Sequence, residues 1–164
     1  LSGKLLWTAR TGGMNAAGRP QYGHGLVFVN NGMGSMSAIK PDGTGDLEAV
    51  WSTRRNIPKK SSMILHGDHL YMVADTGVAS CLDAKSGKSL WSERLDAGQF
   101  AASPILSKGR LYFFSINGDV VVTAAEPKFK VLARGKFDDG FMASPAVTGN
   151  ALILRTKAAV YRVE

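Results

Sequence analysis

One cysteine in 164 residues excludes an internal disulfide and any zinc site built from several thiolates. That residue, Cys81, sits in the run Val78-Ala79-Ser80-Cys81-Leu82, where a small buried hydrophobe is the expected role. No apolar stretch reaches the roughly 18 residues that a bilayer span needs, so no membrane-spanning helix is expected. Leu1-Ser2-Gly3-Lys4 lacks the charged start and apolar core of a signal peptide. The chain also begins without Met and in mid-motif, so a processed or truncated product is expected and the missing leader says nothing of compartment.

Chemistry-bearing constellations are equally sparse. Histidine occurs three times, and His66-Gly67-Asp68-His69 offers metal-ligating types, but a four-residue hairpin corner does not converge them and no third histidine lies nearby. Gly32-Met33-Gly34-Ser35-Met36-Ser37 lacks the third Gly, the Lys-Ser pair and the following helix of a phosphate loop. Asp138 and Asp139 are adjacent loop residues that point apart, which suits a solvated turn better than calcium or acid-base work. No Ser-His-Asp order with a strained nucleophile turn is present. No catalytic, metal or cofactor-binding residue is therefore assigned.

Acidic residues are outnumbered, 13 against 20 Lys and Arg, giving a net charge of +7 and a pI near 9.7. That balance favours acidic partners. The basic residues are scattered, with Arg54-Arg55 and Lys59-Lys60 the only doublets and no basic-aromatic interleaving, so specific nucleic-acid binding is not expected. A content of 45% hydrophobic and 20% charged residues is that of an ordinary globular domain.

What the chain has in abundance is repetition. Leu26, Leu70, Leu111 and Leu152 open four apolar runs, separated by 44, 41 and 41 residues. The first three end at Asn30-Asn31-Gly32, Asp75-Thr76-Gly77 and Asn117-Gly118-Asp119, the fourth at Arg155-Thr156-Lys157. A second series, Trp7, Trp51 and Trp91, recurs at 44 and 40 residues, and its next slot is read as Leu132. A period of about 41 residues built from short strands is the signature of a β-propeller. The third unit divides into strands near 102–106, 111–115, 120–124 and 130–133, with Gly, Asn and Asp corners that favour consecutive hairpins. Such a meander cannot bury both faces alone, so neighbouring units must stack.

The fold class is therefore all-β: a propeller of four-stranded antiparallel blades. About four blades are present, as half of a seven- or eight-bladed ring. Residues 1–164 form one partial propeller, with an outer strand in 1–10 and units at 16–54, 59–95, 100–135 and 141–164. The strand near 5–9 and the three strands of the last unit together make one blade. The expected completion is a missing N-terminal half or a second copy of the chain.

The block from Cys81 through Asp83, Ser86 and Gly87 to Trp91 resembles the tryptophan-docking motif of the quinoprotein-like propellers, the family of pyrroloquinoline-quinone-like repeats. In that motif an Asp, a Thr-Gly pair and a Trp follow an Ala at fixed spacing. The resemblance implies structural docking roles for Trp7, Trp51, Trp91, Asp83 and Gly87. It also implies a bacterial protein in the periplasm or secreted. Family dehydrogenases use adjacent cysteines, a Trp stacked under the quinone and a carboxylate base, and this chain has one Cys and all three Trp in docking slots. The reading is a non-catalytic binding or scaffold module for protein, peptide or acidic surface polymer, without cofactor. The alternative is the C-terminal half of a quinone-dependent dehydrogenase.

Propellers bind at the rim where blade connections and inner turns meet the central channel. The aligned positions there are Asn15, Lys59, Lys60, Gln99, Phe100, Asp138, Asp139 and Phe141, with Asn30, Asn31, Met33, Asp75, Asn117, Asp119 and Lys157 from the turns. The candidate binding set is Asn30, Met33, Lys59, Lys60, Asp75, Phe100, Asn117 and Phe141. The competing reading of the two Phe residues is that they pack where a blade begins.

Overall fold

The computed structural model describes residues 2–164, and every regular element among them is a β-strand. After β1 (Trp7–Thr8), the first sheet takes β2 (Gln21–Gly23), β3 (Leu26–Asn30) and β4 (Met36–Ile39), passes through β5 (Gly45–Asp46) in a connection, and finishes with β6 (Ala49–Thr53). The second comprises β7 (Ile64–His66), β8 (His69–Val73), β9 (Val78–Asp83) and β10 (Ser89–Arg94). The third holds β11 (Ile105–Ser107), β12 (Arg110–Phe114), β13 (Asp119–Ala124) and β14 (Val131–Lys136), and the fourth β15 (Ala146–Thr148), β16 (Ala151–Arg155) and β17 (Val160–Val163). All four are antiparallel meanders, the blades of a propeller.

The cores lie between the blades. Phe28, Met36 and Ala38 of the first pack on Met63, Leu70, Met72 and Leu82 of the second. Tyr71, Cys81 and Trp91 of the second meet Leu111, Phe113 and Val121 of the third, and Phe114 of the third meets Phe141 and Leu154 of the fourth. Burial follows this stacking: the inner strand β8 is buried almost throughout, because neighbours cover both its faces. By contrast β3, in the first blade, alternates buried and half-buried residues, as a sheet covered on one face does.

A ladder of serines joins the segments just ahead of the first strand of each blade. The Arg19 N–H donates to Ser62 Oγ at 2.9 Å, Ser62 N–H to Ser103 Oγ at 2.9 Å, and Ser103 N–H to Ser144 Oγ at 3.0 Å. The last two steps each advance 41 residues, so the sequence period is also a spatial one.

Indoles tie the outer strands. Trp51 Nε1 donates to Ala84 O at 3.2 Å in the second blade, and Trp91 Nε1 to Glu126 O at 3.1 Å in the third. The turn that receives Trp51 is held by Asp83, whose Oδ1 accepts from the Ser86 N–H at 2.8 Å and from its hydroxyl at 2.6 Å. These Ser86 bonds hold the Asp83 carboxyl below the usual range. Gly87, at φ 72°, lies flat against the indole, and a Cβ there would sit 2.6 Å from Trp51 Cε3. In the third blade Phe129 meets Trp91 instead, with ring centroids 5.0 Å apart.

Two expectations require correction. The slot after Trp91 holds Ala133, not Leu132: Trp51 pairs with Ala38, Trp91 with Cys81, and Ala133 with Val122. The turn before β14, residues 125–130, is one residue longer than the turn 84–88 before β10, and this moves the slot by one; the bulge beside the slot is common to all three blades. Likewise β1 does not complete the fourth blade; it pairs in parallel with β5, Trp7 opposite Gly45 and Thr8 opposite Asp46. The insertion 41–45 presents an unpaired backbone edge beside it, and the Thr8 hydroxyl adds a bond to Asp46. Trp7 is left half-buried, and among the described residues its indole has no carbonyl acceptor.

Candidate functional site

On the side read as the rim, the turn between β8 and β9 and the connection between the first two blades form one unit. Asp75 Oδ1 accepts from the Lys59 N–H at 2.9 Å and the Lys60 N–H at 3.4 Å, while Lys60 Nζ lies 3.4 Å from Oδ2. Asp75 is therefore a clamp on the connection. Across from it, Asn31 Oδ1 accepts the N–H groups of Met33 and Ser35, both at 3.0 Å, and its amide donates to Thr11 O. The side chain of Asn31 thus shapes the turn that carries Met33.

Between these turns opens a groove of about 340 Å³ whose lining includes Met33, Arg54, Asn56, Lys59 and Asp75. Met33 is 58% exposed, and among the described residues neither Arg54 nor Lys59 has an acidic partner. A second depression at the fourth blade repeats the combination, with Met142, Arg155 and Lys157 around about 250 Å³. Each groove sets a polarisable apolar side chain beside cations that form no ion pair among the described residues.

The remaining sequence candidates divide. Lys60 and Asn117 are exposed, and Asn117 O accepts from Lys136 Nζ at 2.8 Å. Phe100 and Phe141 are each 1% exposed, so neither lines a binding surface. Their backbones bridge to Ser115 and Thr156, which turns both rings into the cores between blades. Asn30 is 4% exposed, and its amide is spent on Pro58 O and Ser61 O at 3.0 and 3.3 Å. It fastens the first blade to the second. Sequence reading missed Arg54, Asn56, Met142 and Arg155; the Arg54-Arg55 and Lys59-Lys60 doublets bracketing one connection were the available signal.

On the opposite face, His24 Nε2 lies 2.8 Å from Gly67 O, and Asp68 sits between Lys85 at 3.0 Å and His24 at 3.6 Å. Lys85 holds the Asp68 carboxyl below its usual range, with smaller help from His24 and His69. Among the described residues no three metal-ligating side chains converge. Cys81 is buried beneath Tyr71 and Trp91, and burial pushes its thiol up to about 11.

The profile of the outer membrane protein assembly factor BamB family matches residues 1–164, the whole chain. The chain belongs to this family. Among solved structures, BamB from Moraxella catarrhalis is similar at 13% identity and a TM-score of 0.68, over 84% of this chain and 41% of that one. The chain thus spans about two-fifths of that BamB. The computationally designed Ika4 protein matches at 14% identity and a TM-score of 0.76, over 99% of both chains. Quinohemoprotein alcohol dehydrogenase ADHIIG from Pseudomonas putida HK5 matches at 15% identity and a TM-score of 0.73, over 92% of this chain and 30% of that one. At such identities these structures establish the repeat-propeller fold alone. No curated protein matches the chain significantly.

Proposed function

We propose that this BamB-family chain is a non-catalytic binding module that holds an acidic segment of a partner protein or peptide on its propeller rim, in the periplasm. The observation that carries this reading is the rim groove itself, where Met33 lies beside Arg54 and Lys59, neither ion-paired among the described residues, while the lining carboxylate of Asp75 is engaged by Lys60 and by the backbone of the connection. An acidic, partly apolar segment complements such a surface through charge at the lip and thioether contact within. The Met142, Arg155 and Lys157 depression supplies a second contact of the same chemistry.

The residues present do not fit a quinone. The one thiol, Cys81, is buried in the core, so no adjacent cysteine pair exists; the faces of Trp51 and Trp91 are spent on Gly87 and Phe129, and only Trp7 is undocked.

The test is fluorescence anisotropy with a labelled peptide alternating Asp, Glu and Leu. Saturable binding that weakens at least about tenfold when Arg54 and Lys59 are both changed to Glu, and weakens with added salt, supports the reading. Binding indifferent to that double reversal overturns it. Absorbance of a bound quinone after reconstitution with calcium and pyrroloquinoline quinone would favour the dehydrogenase alternative.

A further inference from the structure

The repeat provides its own control for a second site, independent of the rim groove. At the first blade boundary Trp51 lies over Phe28, centroids 5.9 Å apart, and packs, as Leu65 does, against the cluster that holds Leu70 and Leu82 of the second blade. At the second boundary Trp91 lies by Tyr71 at 6.2 Å and packs with Leu106 and Leu111 of the third. Register carries the same slot to the third boundary. Phe28 faces Ala38 and then Trp51, Tyr71 faces Cys81 and then Trp91, and Tyr112 faces Val122 and then Ala133. Here the ring is missing, and Ala133 is exposed.

A groove of about 290 Å³ opens between the third and fourth blades, without Ala133 on its wall, and is lined by Tyr112, Val147, Leu152 and Val163. These stand at the repeat positions of Phe28, Leu65, Leu70 and Leu82, the apolar bed of Trp51. Two cations edge the groove, Lys108 and Arg110. Among the described residues Lys108 Nζ meets only the neutral Asn150 Oδ1, at 2.7 Å, and Arg110 has no acidic partner. The one carboxylate on the lining, Glu164, is engaged by Arg162.

We infer that this groove is a vacant indole dock that receives a tryptophan side chain from an acidic partner peptide. The bed that holds an indole twice within this chain is presented a third time without one, and the cations along its edge select acidic residues flanking the incoming ring. An aromatic anchor in a pocket with charge around it is the arrangement that concentrates binding energy in one side chain.

The probe is a blocked peptide Asp-Glu-Trp-Glu-Asp, titrated calorimetrically into the intact chain beside its Trp-to-Ala counterpart. The expected result is saturable one-to-one binding that weakens at least about tenfold without the Trp, and equally with Ala133→Trp, which fills the dock from within. Should Ala133→Trp fail to fold, Lys108→Glu with Arg110→Glu leaves the bed intact and lowers affinity by about the same factor. Equal binding of the two peptides, no saturable binding, or full affinity in the charge-reversed variant overturns the inference. So does a loss of Trp-peptide binding on Arg54→Glu with Lys59→Glu, which places the peptide at the rim. Self-association abolished by Trp7→Ala, without peptide binding, assigns the dock to a second copy and overturns it too.

Discussion

Gly87→Ala tests the contact on which the interlocking of blades depends. The backbone at Gly87 has φ 72°, and an L-residue there costs about 1 kcal/mol from steric strain alone. The added methyl also meets Trp51 Cε3 at 2.6 Å and Cδ2 at 2.7 Å, well inside contact distance. Forcing a methyl into a packed site costs a further 1–3 kcal/mol or so, for an expected total of about 2–4 kcal/mol. Gly109→Ala is the control, since Gly109 has nearly the same φ, 71°, and nothing lies within 4 Å of the added carbon. It should cost only the strain, about 1 kcal/mol. Urea unfolding followed by far-ultraviolet circular dichroism gives both values. In a Trp51→Leu background the ring is gone, so Gly87→Ala should fall to the cost of the control. Equal costs for the two glycines in the native background, or an undiminished cost beside Leu, would refute the docked-indole account.

Ser103→Ala removes the acceptor of the half-buried Ser62 N–H and should cost about 1 kcal/mol in the same unfolding assay, an effect absent for exposed Ser2→Ala. Asp83 has its carboxyl lowered below 3.8 by Ser86, so its contribution is complete above the ordinary carboxylate range and fades as pH falls through the lowered value. Asp83→Asn should therefore weaken the protein at pH 7 and flatten the loss of stability below about pH 4, read from urea midpoints across that range. With its thiol pushed up to about 11 by burial, Cys81 should resist Ellman's reagent at pH 8 in the folded chain and react at once in 6 M guanidinium.

The blade count and the strand order were legible because leucines and turn residues repeat at a fixed period, and a period survives small errors in strand ends. Phe100 and Phe141 were read as rim residues, and both side chains are buried. Their period puts them in connections, yet only the bridges to Ser115 and Thr156 reveal that the rings turn inward. Asn30 failed for a related reason: a polar side chain in a turn looks solvated unless the carbonyls of Pro58 and Ser61 are known to face it. The step from Leu132 to Ala133 was invisible because one extra residue in the turn before β14 leaves composition unchanged while shifting every later side chain. Pairing of β1 with β5 had no signal at all, since it depends on an edge created by an insertion.

An array of near-identical units makes its exceptions informative. Stacked blades need each boundary filled, because a void forfeits the packing that neighbouring side chains would otherwise supply. The first two boundaries meet that need with indoles. At the third, Phe137 contributes, packing edge-on against Phe141 and Tyr161 at centroid distances of 5.2 Å. Cohesion there comes from a separate aromatic cluster that also holds Phe114, and the indole bed over Tyr112 is no longer needed to hold the blades together. A bed released from its structural duty stays apolar and open, so it is at this boundary, rather than at the two sealed ones, that an outside aromatic side chain can enter without displacing part of the fold.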